Sequence, residues 1–143
     1  MEDPKDLNDY FKLSEFGVNR LDEINDRLKI ISEELKKYQP PISGRMTLEL
    51  HNCKEGCVSC PHGRWKTWRW IKKRMGGNWF AAKDVSDPWR RIKASGEFKE
   101  NYVYIKALVG EGQELLKEKD DYVKVFQKLR VAVKRTLKQE DLP

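Results

Sequence analysis

Apolar positions recur along the first third of the chain at steps of three and four: Leu21, Ile24, Leu28, Ile31, Leu35 and Tyr38. This is a/d heptad spacing across 18 residues, and it predicts an amphipathic helix about 27 Å long. Asn19 with Asp22 predicts its start, placing an acid at the positive helix end. Pro40-Pro41 predicts its stop. Leu7, Tyr10, Phe11, Leu13 and Phe16 predict a shorter helix that packs back, with a break at Gly17.

The period then changes to two. Met46, Leu48 and Leu50 alternate with Arg45, Thr47, Glu49 and His51, as in a half-buried strand. Trp65 to Lys73 is rich in aromatic residues and reads as a second strand, Gly76-Gly77-Asn78 as a turn, and Trp79 to Ala82 as a third strand. The alternation puts Lys66, Trp68, Trp70 and Lys72 on one face, and Trp65, Thr67, Arg69, Ile71 and Lys73 on the other. Trp68 and Trp70 are expected to pack against Leu48, Leu50 and a terminal helix. Asp87-Pro88-Trp89 predicts a short capped helix that Gly96 ends. From Phe98 to Lys138 the helical period returns, with Ile105, Val109, Gly112, Leu116, Val123, Phe126, Val133 and Leu137 on one side. Leu108, Leu115, Tyr122 and Leu129 broaden that side. Gly110-Glu111-Gly112 predicts a kink or a break, because each glycine costs about 1 kcal/mol relative to alanine.

The pattern divides the chain into an N-terminal helical segment (1–44), a β module with a short basic helix (45–96) and a long C-terminal helix (97–143). The terminal helices can pair within one chain or between two, because a heptad specifies a partner helix and not its origin.

Composition narrows the picture. The chain has 143 residues, too few for a TIM barrel, and 38% are apolar, below the usual ~45–50%. Helices that bury a single stripe suit that share. No run approaches the ~20 apolar residues of a membrane span, and Met1 to Asp6 carries no apolar leader core, so a cytoplasmic setting is expected and a membrane is not. Three cysteines within eight positions make no disulfide framework.

The formal charge of +6 is uneven. Residues 64–93 hold 10 basic and 2 acidic side chains, whereas residues 1–44 hold 7 and 10. All five tryptophans, Trp65, Trp68, Trp70, Trp79 and Trp89, fall in the basic window. Cations neutralise phosphates and aromatic faces stack on unpaired bases, so this interleaving suits DNA or RNA. The candidate contacts are Arg64, Lys66, Arg69, Lys72, Lys73, Arg74, Lys83, Arg90, Arg91 and Lys93. The short helix from Pro88 to Ser95 lacks Asn or Gln for adenine readout, so phosphate-dominated binding is expected.

At the border of that window, residues 51–63 read His-Asn-Cys-Lys-Glu-Gly-Cys-Val-Ser-Cys-Pro-His-Gly. Cys53, Cys57, Cys60 and His62 have the number and type of ligands that tetrahedral zinc takes, with His51 as the alternate nitrogen. Gly56, Pro61 and Gly63 supply a tight backbone. C-x3-C-x2-C also binds the [4Fe–4S] cluster of radical S-adenosylmethionine enzymes, but the alternating βα pattern of their barrel is missing. A closed four-ligand site leaves no open position for catalysis, and no nucleophile–base pair or phosphate loop is legible, so no enzyme activity is expected.

From Leu48 through Cys60-Pro61-His62-Gly63 to Phe80, about a quarter of the chain, the sequence resembles a family of short prokaryotic and archaeal proteins of unknown function. Their signature is a Cys-rich turn ending in Cys-Pro-His-Gly, then an aromatic strand, a Gly-containing turn and another strand. Where that family commonly has Pro-Tyr-Trp after the glycine, this chain has Arg64-Trp65. The resemblance implies a zinc-ribbon-like β module and no particular activity. The expected fold class is thus α+β, with heptad-patterned terminal helices flanking a small antiparallel zinc-ribbon-like module. The expected function is zinc-stabilised nucleic-acid binding, with a homodimer or partner protein engaged through the helices. The alternative is a coiled-coil adaptor whose zinc hairpin recognises another protein.

Overall fold

The computed structural model describes residues 3–55 and 57–139, with side chains through residue 136. Met1, Gly56 and the Leu137 side chain lie outside the described residues. The architecture is α+β: α1 (Leu7–Lys37), β1 (Met46–His51), β2 (His62–Lys72), β3 (Asn78–Asp84) and α2 (Tyr102–Gln139). The strands form one antiparallel sheet in the order β1-β2-β3.

The stripe from Ile24 to Leu35 is fully buried, as its period requires. It meets both α2 and β1, so it is a helix–sheet face as well as a helix–helix one. Ile24, Leu28, Ile31 and Leu35 share one core with Met46, Leu48 and Trp65 of the sheet and with Ile105, Leu108 and Val109 of α2. Ser32 ties α1 to the sheet, its hydroxyl donating to the Leu48 carbonyl at 2.7 Å.

Two helix boundaries differ from the sequence expectation. The start lies not at Asn19 but at Asp6, whose carboxylate accepts from the Asp9 backbone N–H at 2.9 Å. The helix runs through Gly17, whose bare backbone admits Phe126 of α2; a Cβ there would sit 3.2 Å from its ring. Likewise α2 is continuous through Gly110 and Gly112. These glycines are contact points for Trp89 and Trp65, whose rings press on the bare backbone.

The expected helix after Asp87 is instead a 3-10 turn, Pro88–Arg91, with no side-chain cap. A second such turn, Gly96–Phe98, leads into α2.

The strands lie where the period of two places them. Leu48 faces Trp65 and Met46 faces Thr67 across β1 and β2, while Trp70 faces Phe80 across β2 and β3. Trp65 therefore shares the core face with Leu48, and Trp68 and Trp70 project from the other side. This corrects the expectation for the tryptophans: Trp65 is 9% exposed and Trp70 49%. The outer pair is held by its own indole N–H groups, Trp68 donating to the Thr47 hydroxyl at 2.7 Å and Trp70 to the Pro41 carbonyl at 3.0 Å. Gly76 and Gly77 both take positive φ, which closes the β2–β3 hairpin where a side chain would be strained.

Candidate metal centre and basic hairpin

The loop joining β1 to β2 carries the cysteines. β1 delivers its chain end at His51, and β2 begins at His62, its register partner. The ligand atoms of Cys53, Cys57, Cys60 and His62 all lie within 4.8 Å of one another. The Cys57 thiol is 3.6 Å from His62 Nε2, and the Cys53 and Cys60 sulfurs are 3.3 Å apart. Tetrahedral zinc with Zn–S near 2.3 Å and Zn–N near 2.05 Å spaces sulfur and nitrogen about 3.6 Å apart and two sulfurs about 3.8 Å apart. The Cys57–His62 spacing fits without adjustment, and the two sulfurs need open by only about half an ångström. His51 is not part of the cluster; its ring lies 5.4 Å from that of His62 and is exposed.

The loop favours the thiolate at Cys60, whereas the hydrogen bond with Cys60 raises the pKa of the Cys53 thiol. The Cys53 backbone N–H donates to the Cys60 sulfur at 3.2 Å, and this donor is the leading cause holding the Cys60 thiol below its ordinary pKa. A hydrogen bond to a sulfur favours its thiolate, the form a metal binds.

One residue of the site is invisible to motif spacing. Lys119 of α2 is only 5% exposed, and its ammonium donates to the Pro61 carbonyl at 2.6 Å. Burial lowers its pKa, and the Cys60 and Cys57 thiolates act in the opposite direction. Three thiolates, one imidazole and a divalent ion sum to a net charge of −1, which a buried ammonium beside the loop offsets. The available signal was a lysine between Leu115, Leu116 and Val123, on the apolar side of its helix.

The ten candidate cations do not make one patch. Arg64 and Lys66 share Asp84, at 3.9 and 3.1 Å, and Arg91 pairs with Asp87 at 2.9 Å. Arg90 and Arg91 sit on the turn whose Trp89 packs on α2, and Lys93 lies along the backbone at Gly44. Arg69, Lys72, Lys73, Arg74 and Lys83 ride the β2–β3 hairpin, and among the described residues none of them has an acidic partner. Lys72 lies six positions along β2 from the Lys66–Asp84 pair, about 20 Å of strand.

Aromatic faces accompany the hairpin cations. Trp68 stacks on Phe80 with ring centroids 5.3 Å apart, and Trp70 meets the same ring at 4.8 Å. This ladder lies on the face away from the core, beside Lys72. Trp79 is half-exposed on the opposite face, which Arg69 and Lys83 share.

Comparison with known proteins finds no matching family model, no matching curated protein and no matching solved structure. Among the described residues, no helix is long and apolar enough to cross a membrane.

Proposed function

We propose that this chain binds nucleic acid through the β2–β3 hairpin, and that zinc on Cys53, Cys57, Cys60 and His62 orders the preceding loop as a zinc-ribbon-like clip. The observation carrying the reading is the Trp68–Phe80–Trp70 ladder, exposed at Trp70, on a hairpin whose distal cations Arg69, Lys72, Lys73 and Arg74 have no acidic partner among the described residues. Cations concentrated without counter-charge repel one another and are relieved by phosphates. Exposed ring faces add stacking that tolerates any base.

Fluorescence anisotropy with labelled single- and double-stranded oligonucleotides across a salt series tests this. Affinity falls steeply with salt, and replacing Lys72, Lys73 and Arg74 by Ala lowers the log–log slope by about 2–3. Salt-insensitive binding, or none to DNA or RNA at low salt, would falsify the reading.

A further inference from the structure

Both helices outrun the core that covers them. No residue of α1 before Gly17 and none of α2 after Val123, through residue 136, is buried. Yet these ends are rich in large apolar side chains: Leu7, Phe11 and Phe16 on α1 and Val125, Leu129 and Val133 on α2 are at least 48% exposed. Helices of this length with an uncovered apolar stripe gain little from propensity alone. Their packing surface is unfilled.

Leu129 and Val133 of that surface border a groove. The groove, of about 680 Å³, runs between the two ends, walled by Val18 and Leu21 on α1 and by Phe126, Leu129 and Val133 on α2, with Val58 of the cysteine loop at its side. Its rims have opposite charge. Asp22 borders the α1 wall, and Arg130 and Lys134 border the α2 wall. The asymmetry extends along both ends: residues 7–26 hold five acidic and two basic side chains, whereas residues 124–136 hold five basic and none acidic.

We propose that this groove is a self-association surface and that its occupant is a second copy of the same chain. A two-fold axis through the groove brings the acidic α1 end of each copy onto the basic α2 end of the other, so one operation satisfies both rims twice. The Leu129 and Val133 ridge then enters the groove of the partner, completing a four-helix packing that each copy leaves half-built. A partner of a single charge sign would meet one favourable rim and one repulsive rim. This inference is independent of nucleic-acid binding, since it uses no hairpin residue.

The test is sedimentation equilibrium of the full zinc-loaded chain over a wide concentration range. Twice the chain mass is expected for the wild type. Asp22→Lys with Asp26→Lys makes both ends basic, and Arg130→Glu with Lys134→Glu makes the α2 rim acidic like α1. Each double variant alone should self-associate more weakly by about tenfold or more, because each repels its own copy. Mixing the two variants should restore the dimer, since their rims are again complementary. Far-UV circular dichroism of each variant confirms that the helices persist. A wild type that stays monomeric at every concentration overturns the proposal, as do variants that dimerise alone as tightly as the wild type. A mixture of well-folded variants that fails to associate also overturns it.

Discussion

Gly110 and Gly112 lie two residues apart in the middle of one helix, yet alanine should be costly at one and nearly neutral at the other. In each case the helix gains from substitution, by about 1 kcal/mol, because glycine is the poorer helix former. The outcome depends on the neighbour that the new methyl meets. At Gly112 a Cβ falls 2.8 Å from Trp65 Cη2 and 3.0 Å from Cζ2, with Ile31 Cγ2 at 3.7 Å beyond. Trp65 is 9% exposed, opposite Leu48 and inside the shared core, so its ring has nowhere to move. Overpacking costs about 1–3 kcal/mol, and with the ring locked in the core the upper part of that range, about 2–3 kcal/mol, applies and exceeds the propensity gain by about 1–2 kcal/mol. At Gly110 the Cβ falls 2.8 Å from Trp89 Cζ3, but Trp89 is 43% exposed and sits on a surface turn. Its ring can tilt outward, giving up part of the contact with Lys106 Nζ, 4.7 Å from the centroid. Such an exposed cation–π contact contributes about 0.5–1 kcal/mol, comparable to the propensity gain.

Thermal unfolding followed by far-UV circular dichroism separates the two cases. For a chain of this length 1 kcal/mol corresponds to about 3 °C. Gly112→Ala should lower the midpoint by about 3–6 °C, and Gly110→Ala should leave it within about 3 °C of wild type. Trp65→Phe provides an internal control. With the smaller ring, the added methyl fills vacated space, so Gly112→Ala should cost less in that background than in the wild type. If Gly112→Ala stabilises the protein, or if Gly110→Ala is the more damaging change, the argument from ring contact is wrong.

Lys119→Met keeps the bulk of the side chain and removes its charge, so it should weaken zinc binding by about tenfold or more while leaving the helices intact; Lys119→Arg should retain part of the affinity. Competition with a chelating dye measures both, and an unchanged affinity would remove Lys119 from the site. Glu111 joins α2 to α1 by accepting from Arg27, one contact being 2.8 Å. That bond holds its carboxyl below the ordinary value, with burial acting against it. A depressed folded pKa means that the stabilisation is fully present above the unfolded value, near pH 4.3, and is lost as pH falls through the lower folded one. The midpoint difference between wild type and Glu111→Gln should therefore shrink as pH drops below about 4; a gap that widens there reverses the assignment.

The sequence foretold the strands and the ligand cluster because both are local. Cys53 to His62 lie on one loop, and alternation alone sorts β2 into two faces. Alternation does not say which face meets the helices. That choice depends on the Leu48–Trp65 register and on acceptors from distant backbone, such as Pro41 for Trp70. The glycines misled for a related reason. Gly17, Gly110 and Gly112 weaken a helix in isolation, and only the aromatic rings brought against them from elsewhere show why the helix tolerates them. Lys119 stayed hidden because its partner carbonyl, that of Pro61, lies 58 residues away in the chain.

Strand β2 joins these features, and its layout assigns them separate tasks. His62 at its first residue is a candidate metal ligand, Trp65 three residues on fills the core, and Trp70 and Lys72 at its far end carry the exposed aromatic and basic surface. Ten residues of strand, about 33 Å, separate the ligand from the last of these. A metal at His62 therefore cannot act on a ligand at the hairpin tip by direct contact or by its own field, which salt screens within about 10 Å. Its influence must be mechanical. It would fix where β2 begins, while Trp65, wedged on Gly112, fixes the strand's position against α2. Because the core stands between the two ends, removing the metal should disorder the loop first and leave the distal hairpin attached to its sheet.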